Sequence, residues 1–237
     1  PEHSEKQEGV SAMPEKKVVI VIVEGPSEES ALGSLLKEYF SSDETYFVVT
    51  HGDITSRNDV DATNVISKVM LAVDTDIGKY GYHWDDLVRI IHIADTDGAF
   101  TNGCVVKADV ENIQYFEDHI ESANVTATER RNKNKADAMY KLCTTKIIHH
   151  IDYRLYFNSC NLEHVLFNAL KDFSDDEKTE MSDDFADKYD GHIDDFIEFI
   201  SAPDVAVQGT YKDTWKFIGK DRHSLERHSN MHLIFDK

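Results

Sequence analysis

The sequence predicts an α/β fold in which a mainly parallel sheet is flanked by helices. Apolar, β-branched runs alternate along the chain with segments of helical periodicity, which is the pattern of a parallel sheet with crossover helices. The first run, Lys17 to Val23, is apolar at every position after Lys17. Both faces of this strand are therefore expected to be buried, as at the centre of a sheet.

Most of the predicted elements lie in the first hundred residues. Gly25 and Pro26 interrupt the first strand, and Ser27 is the expected N-cap of the helix that follows. Short β-rich runs and one further segment with an apolar helical face continue the alternation. The predicted elements are a strand over 17–23, a helix over 28–40, a strand over 46–50, a helix over 64–77 and a strand over 89–94.

The pattern is weaker after residue 101, where the predicted elements are shorter. A strand is expected over 147–157 and a helix over 162–173, whereas 108–124 has the character of a short strand or loop. The strongly acidic segment 173–200 predicts two solvated helices broken near Gly191. The last predicted helix covers 215–234.

Composition limits the classes of function. The 237 residues carry a formal net charge of −20, from 45 acidic and 25 basic side chains. This charge argues against a general nucleic-acid coat protein, which needs a basic surface. An enzyme that holds a divalent cation among carboxylates is still allowed, because the cation supplies the positive charge at a phosphate.

Cellular location is predicted from what the chain contains. Its three cysteines, Cys104, Cys143 and Cys160, form no pair motif and are expected to be reduced thiols, as in a cytoplasmic protein. No segment is apolar enough to span a membrane, and the polar start gives no secretion signal. We expect a flexible leader over 1–15, an α/β catalytic domain over 16–170 and a helical region over 171–237 packed on it.

Two acidic motifs follow predicted buried strands. Glu24 and Glu28 flank Gly25-Pro26-Ser27, and Asp95 and Asp97 belong to Asp95-Thr96-Asp97-Gly98. Ligands of open α/β sheets bind beyond the carboxyl ends of the strands, so these side chains are expected to converge. Carboxylates gathered so closely repel one another unless a cation such as Mg²⁺ or Mn²⁺ joins them. The simpler interpretation is a helix start and a tight turn, both of which favour acidic residues.

This order of strand, Glu-Gly-x-x-Glu, helix, strand and Asp-x-Asp-Gly resembles the TOPRIM domain, and within it the OLD-family and RloB-like proteins of phage defence. The resemblance covers about 17–167 and implies a TOPRIM-like, Rossmann-like fold with the four acids as metal ligands. Tyr156 to His164 is loosely similar to a further segment of RloB-like proteins, which makes Glu163 a fifth candidate ligand. Thr96 replaces the proline of the topoisomerase and primase form, which puts DNA topology and priming in doubt.

The resemblance also bears on partners. OLD-like nucleases are often linked to an ATPase, and this sequence has no Gly-x-x-x-x-Gly-Lys-Ser/Thr loop, so any ATPase sensor would be a separate chain. The acidic 173–200 segment is either a solvated face or a docking surface for such a partner. A homo-oligomer is left open.

A basic stretch over 130–146 stands out in the acidic chain. Its residues either contact nucleic-acid phosphates, form a solvated helix face or dock onto the acidic 173–200 segment. His223, His228 and His232 have no spacing that completes a zinc site, and His92 is expected to be a core histidine. The candidate substrate-binding residues are Arg130, Arg131, Lys133 and Lys135.

The function predicted from these features is divalent-metal-dependent hydrolysis of phosphodiesters in nucleic acid, either RNA such as tRNA or DNA. The resemblance implies a toxic effector of prokaryotic antiviral defence that acts by abortive infection. Two alternatives stay open: a catalytically silent TOPRIM-fold subunit that binds an ATPase, and a phosphotransferase acting on small phosphate esters.

Overall fold

The central element is a five-stranded mixed sheet, in a computed structural model that describes residues 17–41, 44–49 and 53–236. Its strands are β1 (Val18–Val23), β2 (Glu44–Val49), β3 (Leu87–Asp95), β7 (Ile147–Ile148) and β8 (Ile151–Asn158). They lie in the order β2-β1-β3-β8-β7. Adjacent strands β2, β1, β3 and β8 are parallel, and only β7 runs antiparallel, in a hairpin with β8.

Seven α-helices lie within the described residues. They flank the sheet on both faces, so the predicted α/β class with a mainly parallel sheet is confirmed. The helices are α1 (Pro26–Tyr39), α2 (Val65–Lys79), α3 (Val125–Cys143), α4 (Leu162–Phe167), α5 (Asp175–Tyr189), α6 (Ile193–Ser201) and α7 (Tyr211–Ile218).

Strand β1 separates two hydrophobic cores. All six of its side chains are buried, as the continuous apolar run predicts. Because side chains alternate along a strand, Val18, Ile20 and Ile22 pack with α2, α3 and α7, whereas Val19 and Val21 pack with α1, α5 and α6. Packing on both faces thus fixes the position of β1 within the sheet, and with it the position of Glu24, which follows the strand.

A second, three-stranded sheet lies between β3 and α3 in the chain. It contains β4 (Val105–Lys107), β5 (Gln114–Tyr115) and β6 (Ile120–Ser122), in the order β4-β6-β5. Its strands have two or three residues each, which explains why the sequence predicts only a short strand or loop there. This small sheet forms a wall beside the carboxyl ends of the central strands.

Several predicted boundaries differ from the structure. Helix α1 begins at Pro26 with Gly25 as its N-cap, so Ser27 is not the cap; proline is favoured in the first turn because its fixed φ suits a helix start. Helix α4 ends at Phe167 rather than 173, since Asn168 takes a left-handed conformation with φ of +54°. The expected leader over 1–15 lies outside the described residues.

The C-terminal region is only partly helical. The two acidic helices α5 and α6, on either side of Gly191, confirm the prediction for 173–200. The predicted helix over 215–234 is wrong, because α7 ends at Ile218 and the chain returns to the sheet. There Ser229 bridges to Asn158 at the end of β8, and Asn230 Oδ1 accepts a hydrogen bond from the backbone of Phe157. These long-range hydrogen bonds replace those of a helix.

Two general expectations can be compared with the described residues. Cys104, Cys143 and Cys160 are all free. In the part of the chain that the structure describes, no helix combines the length and apolar character needed to cross a membrane.

Candidate metal centre

The first acidic pair meets where the strand order reverses. Glu24 follows β1 and Asp95 ends β3, and these parallel neighbours bring their carboxyl ends to one edge of the sheet. The backbone N–H of Asp95 donates to Glu24 Oε1 at 3.2 Å. The chain leaves β1 towards β2 on one side and enters β3 on the other, so the pair occupies the topological switch point at which α/β proteins bind ligands.

A tight turn after β3 sets the position of Asp97. The N–H of Thr96 donates to the carbonyl of Asn158 at 2.8 Å, and Asp97 has a φ of +44°. Gly98 follows with a φ of +77°, and a Cβ at this residue would lie 2.6 Å from Ile120 Cδ1 of the small sheet. Glycine is required here both by conformation and by the close approach of β6.

Asp53 joins the site from a segment without a predicted role. It caps the 3-10 helix Ile54–Ser56, where Oδ1 accepts from the Thr55 N–H at 2.6 Å and the Thr55 hydroxyl at 2.5 Å, and Oδ2 accepts from the Ser56 hydroxyl. Aspartate followed by Thr and Ser is a recognisable capping pattern. That pattern predicts a turn, but it says nothing about which part of the fold the turn approaches.

Glu24, Asp53 and Asp97 form the carboxylate centre. One carboxylate oxygen from each lies within 4.8 Å of the others. In residues 17–41, 44–49 and 53–236, this is the one group of His, Cys, Asp or Glu side chains with the geometry of a metal site. Three hard oxygen donors at this spacing suit Mg²⁺ or Mn²⁺.

Lys135 is the internal cation of the carboxylate centre. Its side chain comes from α3 and is fully buried, and its Nζ lies 2.5 Å from Asp53 Oδ2 and 2.8 Å from Asp97 Oδ2. Burial alone would lower the pKa of Lys135, but the charges of Asp53 and Asp97 raise it well above its ordinary value. Lys135 is therefore protonated at neutral pH.

Lys135 does not neutralise every carboxylate equally. Burial opposes ionisation of Asp53, but the charge and hydrogen bond of Lys135 lower its pKa to about 2. Burial, followed by the negative charge of Asp53, raises the pKa of Glu24 well above its ordinary value. Burial, with the charges of Asp97 and Glu28, does the same for Asp95. Glu24 and Asp95 thus lack the positive charge that their ionised forms need.

A second acidic group lies on the other side of Asp95. Glu163 stands in the first turn of α4, whose N-cap Asn161 accepts a hydrogen bond from the N–H of His164 at 2.9 Å. Lys178 of α5 places its Nζ 3.2 Å from Glu163 Oε1. Burial raises the pKa of Glu28, and the charge of Glu163 adds to this effect. Asp95 is electrostatically coupled to both groups, so they form parts of one acidic region.

The predicted ligands are therefore divided between two groups. Glu24 and Asp97 belong to the carboxylate centre, Glu28 and Glu163 to the group around Lys178, and Asp95 lies between them. Asn158, the last residue of β8, holds the carboxylate of Asp95, because its Nδ2 donates to Asp95 Oδ1 at 3.3 Å.

The predicted basic residues all lie on α3 but do not form one surface. Arg131 approaches the acidic site, with Nη2 3.5 Å from Asp97 Oδ2 and Nη1 donating to the Tyr115 hydroxyl at 3.0 Å. Lys135, one turn later, is buried in the carboxylate centre rather than exposed. Arg130 and Lys133 are exposed on other faces of the helix, and Lys133 pairs with Asp137 at 2.9 Å. Helical period thus separates residues that are close in sequence.

Three of the histidines, His92, His223 and His228, have structural partners. His223 shares a hydrogen bond with the carbonyl of Phe217 at 2.8 Å, and His228 lies 3.2 Å from Glu226. Buried His92 shares a hydrogen bond with the Tyr153 hydroxyl at 2.8 Å, and burial lowers its pKa to about 4. His92 is therefore neutral at physiological pH, as expected for a core histidine.

Comparison of the chain with protein-family models, with curated proteins and with solved structures found no match.

Proposed function

We propose that this protein is a divalent-metal-dependent nuclease that hydrolyses phosphodiesters in nucleic acid. The observation that carries the proposal is the convergence of Glu24, Asp53 and Asp97 to within 4.8 Å at the switch point of a parallel sheet. These residues come from three separate parts of the chain, so their proximity is a property of the fold and not of local sequence.

The carboxylate centre fits a hard divalent cation. Its donors are all carboxylate oxygens. Burial, and after it the negative charge of neighbouring carboxylates, raises the pKa values of Glu24 and the adjacent Asp95. A cation there would relieve this repulsion. A bound Mg²⁺ or Mn²⁺ can polarise a phosphoryl oxygen and lower the pKa of a coordinated water.

Residues of this chain would hold the cation and orient the phosphate beside it. Glu24, Asp53 and Asp97 supply the ligands, with Asp95 and the Glu28 and Glu163 carboxylates beside them. Lys135 fixes Asp53 and Asp97 through a shared ammonium group. Arg131 sits beside Asp97 with 27% of its side chain exposed, so it can contact a phosphate that approaches the centre.

The finer assignment comes from the motifs. Glu24-Gly25-Pro26-Ser27-Glu28 and Asp95-Thr96-Asp97-Gly98 support membership of the TOPRIM group and the choice of a nuclease over other phosphotransfer enzymes. The proposed role in antiviral defence, tRNA as a substrate and a separate ATPase sensor have the resemblance alone behind them.

The test is metal-dependent cleavage by the purified chain. Labelled tRNA, single-stranded DNA and plasmid DNA are each incubated with Mg²⁺, Mn²⁺ or EDTA. Glu24→Gln and Asp53→Asn should reduce cleavage more than the roughly 10–100-fold that loss of an outer-shell partner costs a metal site. Asp187→Asn, at an exposed position on α5, is the matched carboxylate control and should retain full activity.

Asp53→Asn is the most informative variant, because Asp53 lies outside both motifs and enters the site through the fold alone. Cleavage that persists in EDTA, or that survives in both variants, would overturn the proposal. Calorimetric titration with Mn²⁺ gives a second measurement, in which the two variants should bind more weakly than Asp187→Asn.

A further inference from the structure

A cleft of about 520 Å³ opens beside the carboxylate centre. Asp97 and Glu163 are among the residues that line it, so it reaches the acidic region. One wall is formed by the small sheet at residues 113–116, and the other by residues 170–173 between α4 and α5. Its volume falls within the range of about 300–1,000 Å³ that is usual for small-ligand sites.

Aromatic side chains stand on both walls of this cleft. Phe116 is 37% exposed, and His119 stacks parallel to it with ring centroids 4.5 Å apart. Phe173, on the other wall, is half-buried, and the Lys171 Nζ lies 5.1 Å from its ring centroid. Asn112 connects the two walls by donating to Asp172 Oδ2 at 3.1 Å. Phe116 is therefore the aromatic ring of the cleft that is both exposed and supported by a stacked neighbour.

The charges in the cleft are largely compensated. Lys171 Nζ lies 2.6 Å from Glu177 Oε1, and Lys178 pairs with Glu163, both of which line the cleft. The cleft is thus not a basic groove of the kind that follows a phosphate backbone by charge alone. Its selective feature is the exposed ring of Phe116, which offers a stacking surface to a planar heterocycle.

We propose that this cleft binds one unpaired nucleobase of the substrate, stacked on Phe116, with the adjacent phosphodiester at the carboxylate centre. The inference deepens the proposed function, because it takes the same centre as the reacting end of the cleft. A paired base is covered by its neighbours and must leave the helix before it can enter such a pocket. The preferred substrates are therefore single-stranded or looped nucleic acids rather than continuous duplex.

The experiment separates binding from cleavage. Fluorescence anisotropy with Ca²⁺ measures affinity for a short labelled single strand, in RNA and DNA forms, and for the matching duplex. The single strand should bind more tightly than the duplex. Phe116→Leu should weaken single-strand binding roughly 5- to 150-fold, which is the range of base–aromatic stacking converted at tenfold per 1.4 kcal/mol. Phe116→Trp should retain the binding because it keeps the ring.

Val106→Ala is the control for general effects on the small sheet. Val106 is an exposed residue of β4 and does not line the cleft, so its loss should leave affinity unchanged. Equal affinity for duplex and single strand, or equal binding by Phe116→Leu and Val106→Ala, would overturn the inference. So would binding of a free mononucleotide without binding of any oligonucleotide.

The binding measurement needs no turnover, so the two proposals can fail separately. If single-strand binding depends on Phe116 but the wild type cleaves no substrate, the cleft is supported as a nucleobase site and the proposed nuclease activity is refuted. If cleavage depends on Glu24 but is equally fast on duplex and on single strand, the proposed nuclease activity is supported and the assignment of the cleft is refuted.

Discussion

Replacement of Lys135 by Met should destabilise the protein strongly in the absence of metal. The substitution keeps the length and apolar stem of a fully buried side chain but removes the ammonium group that contacts Asp53 and Asp97. Lys135 lowers the pKa of Asp53 against the opposing effect of burial, so its loss leaves a buried carboxylate without its cation. Removal of one partner of a buried ion pair typically costs about 3–5 kcal/mol, and we expect a loss in this range.

Urea denaturation followed by circular dichroism at neutral pH with EDTA measures this loss. Lys133→Met is the matched control, since Lys133 lies on the same helix but forms an exposed pair with Asp137. Exposed pairs of this kind contribute about 0.3–0.5 kcal/mol. A loss below about 1 kcal/mol for Lys135→Met, or one equal to that of the control, would refute the role given to Lys135.

Divalent cations extend the same prediction. In Lys135→Met the carboxylates have lost their internal cation, so added Mg²⁺ or Mn²⁺ should stabilise the variant by a larger free energy than it stabilises the wild type. An equal or smaller gain in the variant would show that the cation and Lys135 do not act on the same carboxylates.

Two further predictions concern stability. Burial lowers the folded-state pKa of His92 from 6.5 to about 4, so the contribution of neutral His92 to the free energy of unfolding is complete above pH 6.5 and is lost as the pH falls towards 4. Over this range the free energy of unfolding of the wild type should fall by about 3 kcal/mol more than that of His92→Gln. Urea denaturation at several pH values measures this difference, and parallel curves of stability against pH for the two proteins would contradict the prediction. Gly98→Ala should lower the free energy of unfolding by about 1–3 kcal/mol, because residue 98 has a positive φ and an added Cβ would lie 2.6 Å from Ile120 Cδ1. Gly33→Ala in α1, where an added Cβ meets nothing within 4 Å, should instead raise it by about 0.5–1 kcal/mol. Equal melting temperatures for the two variants would contradict the constraint at Gly98.

Sequence alone predicts the framework of the sheet and five of the six carboxylates that gather at the candidate site, all except Asp53. The continuous apolar run at β1 specifies a strand buried on both faces, and an acid directly after it must lie at the sheet edge. The same reasoning places Asp95 after β3. These predictions succeed because strand periodicity and the rule for carboxyl ends involve only local sequence and one topological choice.

The position of Asp53 and the burial of Lys135 depend on long-range packing. Asp53 carries a capping pattern, but only the path of the chain between β2 and α2 brings it to Glu24. Lys135 stands out as a positive charge in an acidic protein, yet its charge alone cannot tell whether it faces solvent or the interior. The face of α3 that is buried decides this, and it selects Arg131 and Lys135, four residues apart, over Arg130 and Lys133.

The distribution of charge around the site favours a cation ligand over a purely structural role. Six carboxylates gather there, from Glu24, Glu28, Asp53, Asp95, Asp97 and Glu163, against three cations, Arg131, Lys135 and Lys178. A cluster maintained only for stability would be expected to contain matched pairs, because unpaired buried charge is costly. Instead Glu24 and Asp95 retain raised pKa values beside a lysine that is already engaged by two other carboxylates. The imbalance lies at the switch point and beside an open cleft, where a divalent cation would both restore the charge balance and meet a substrate phosphate.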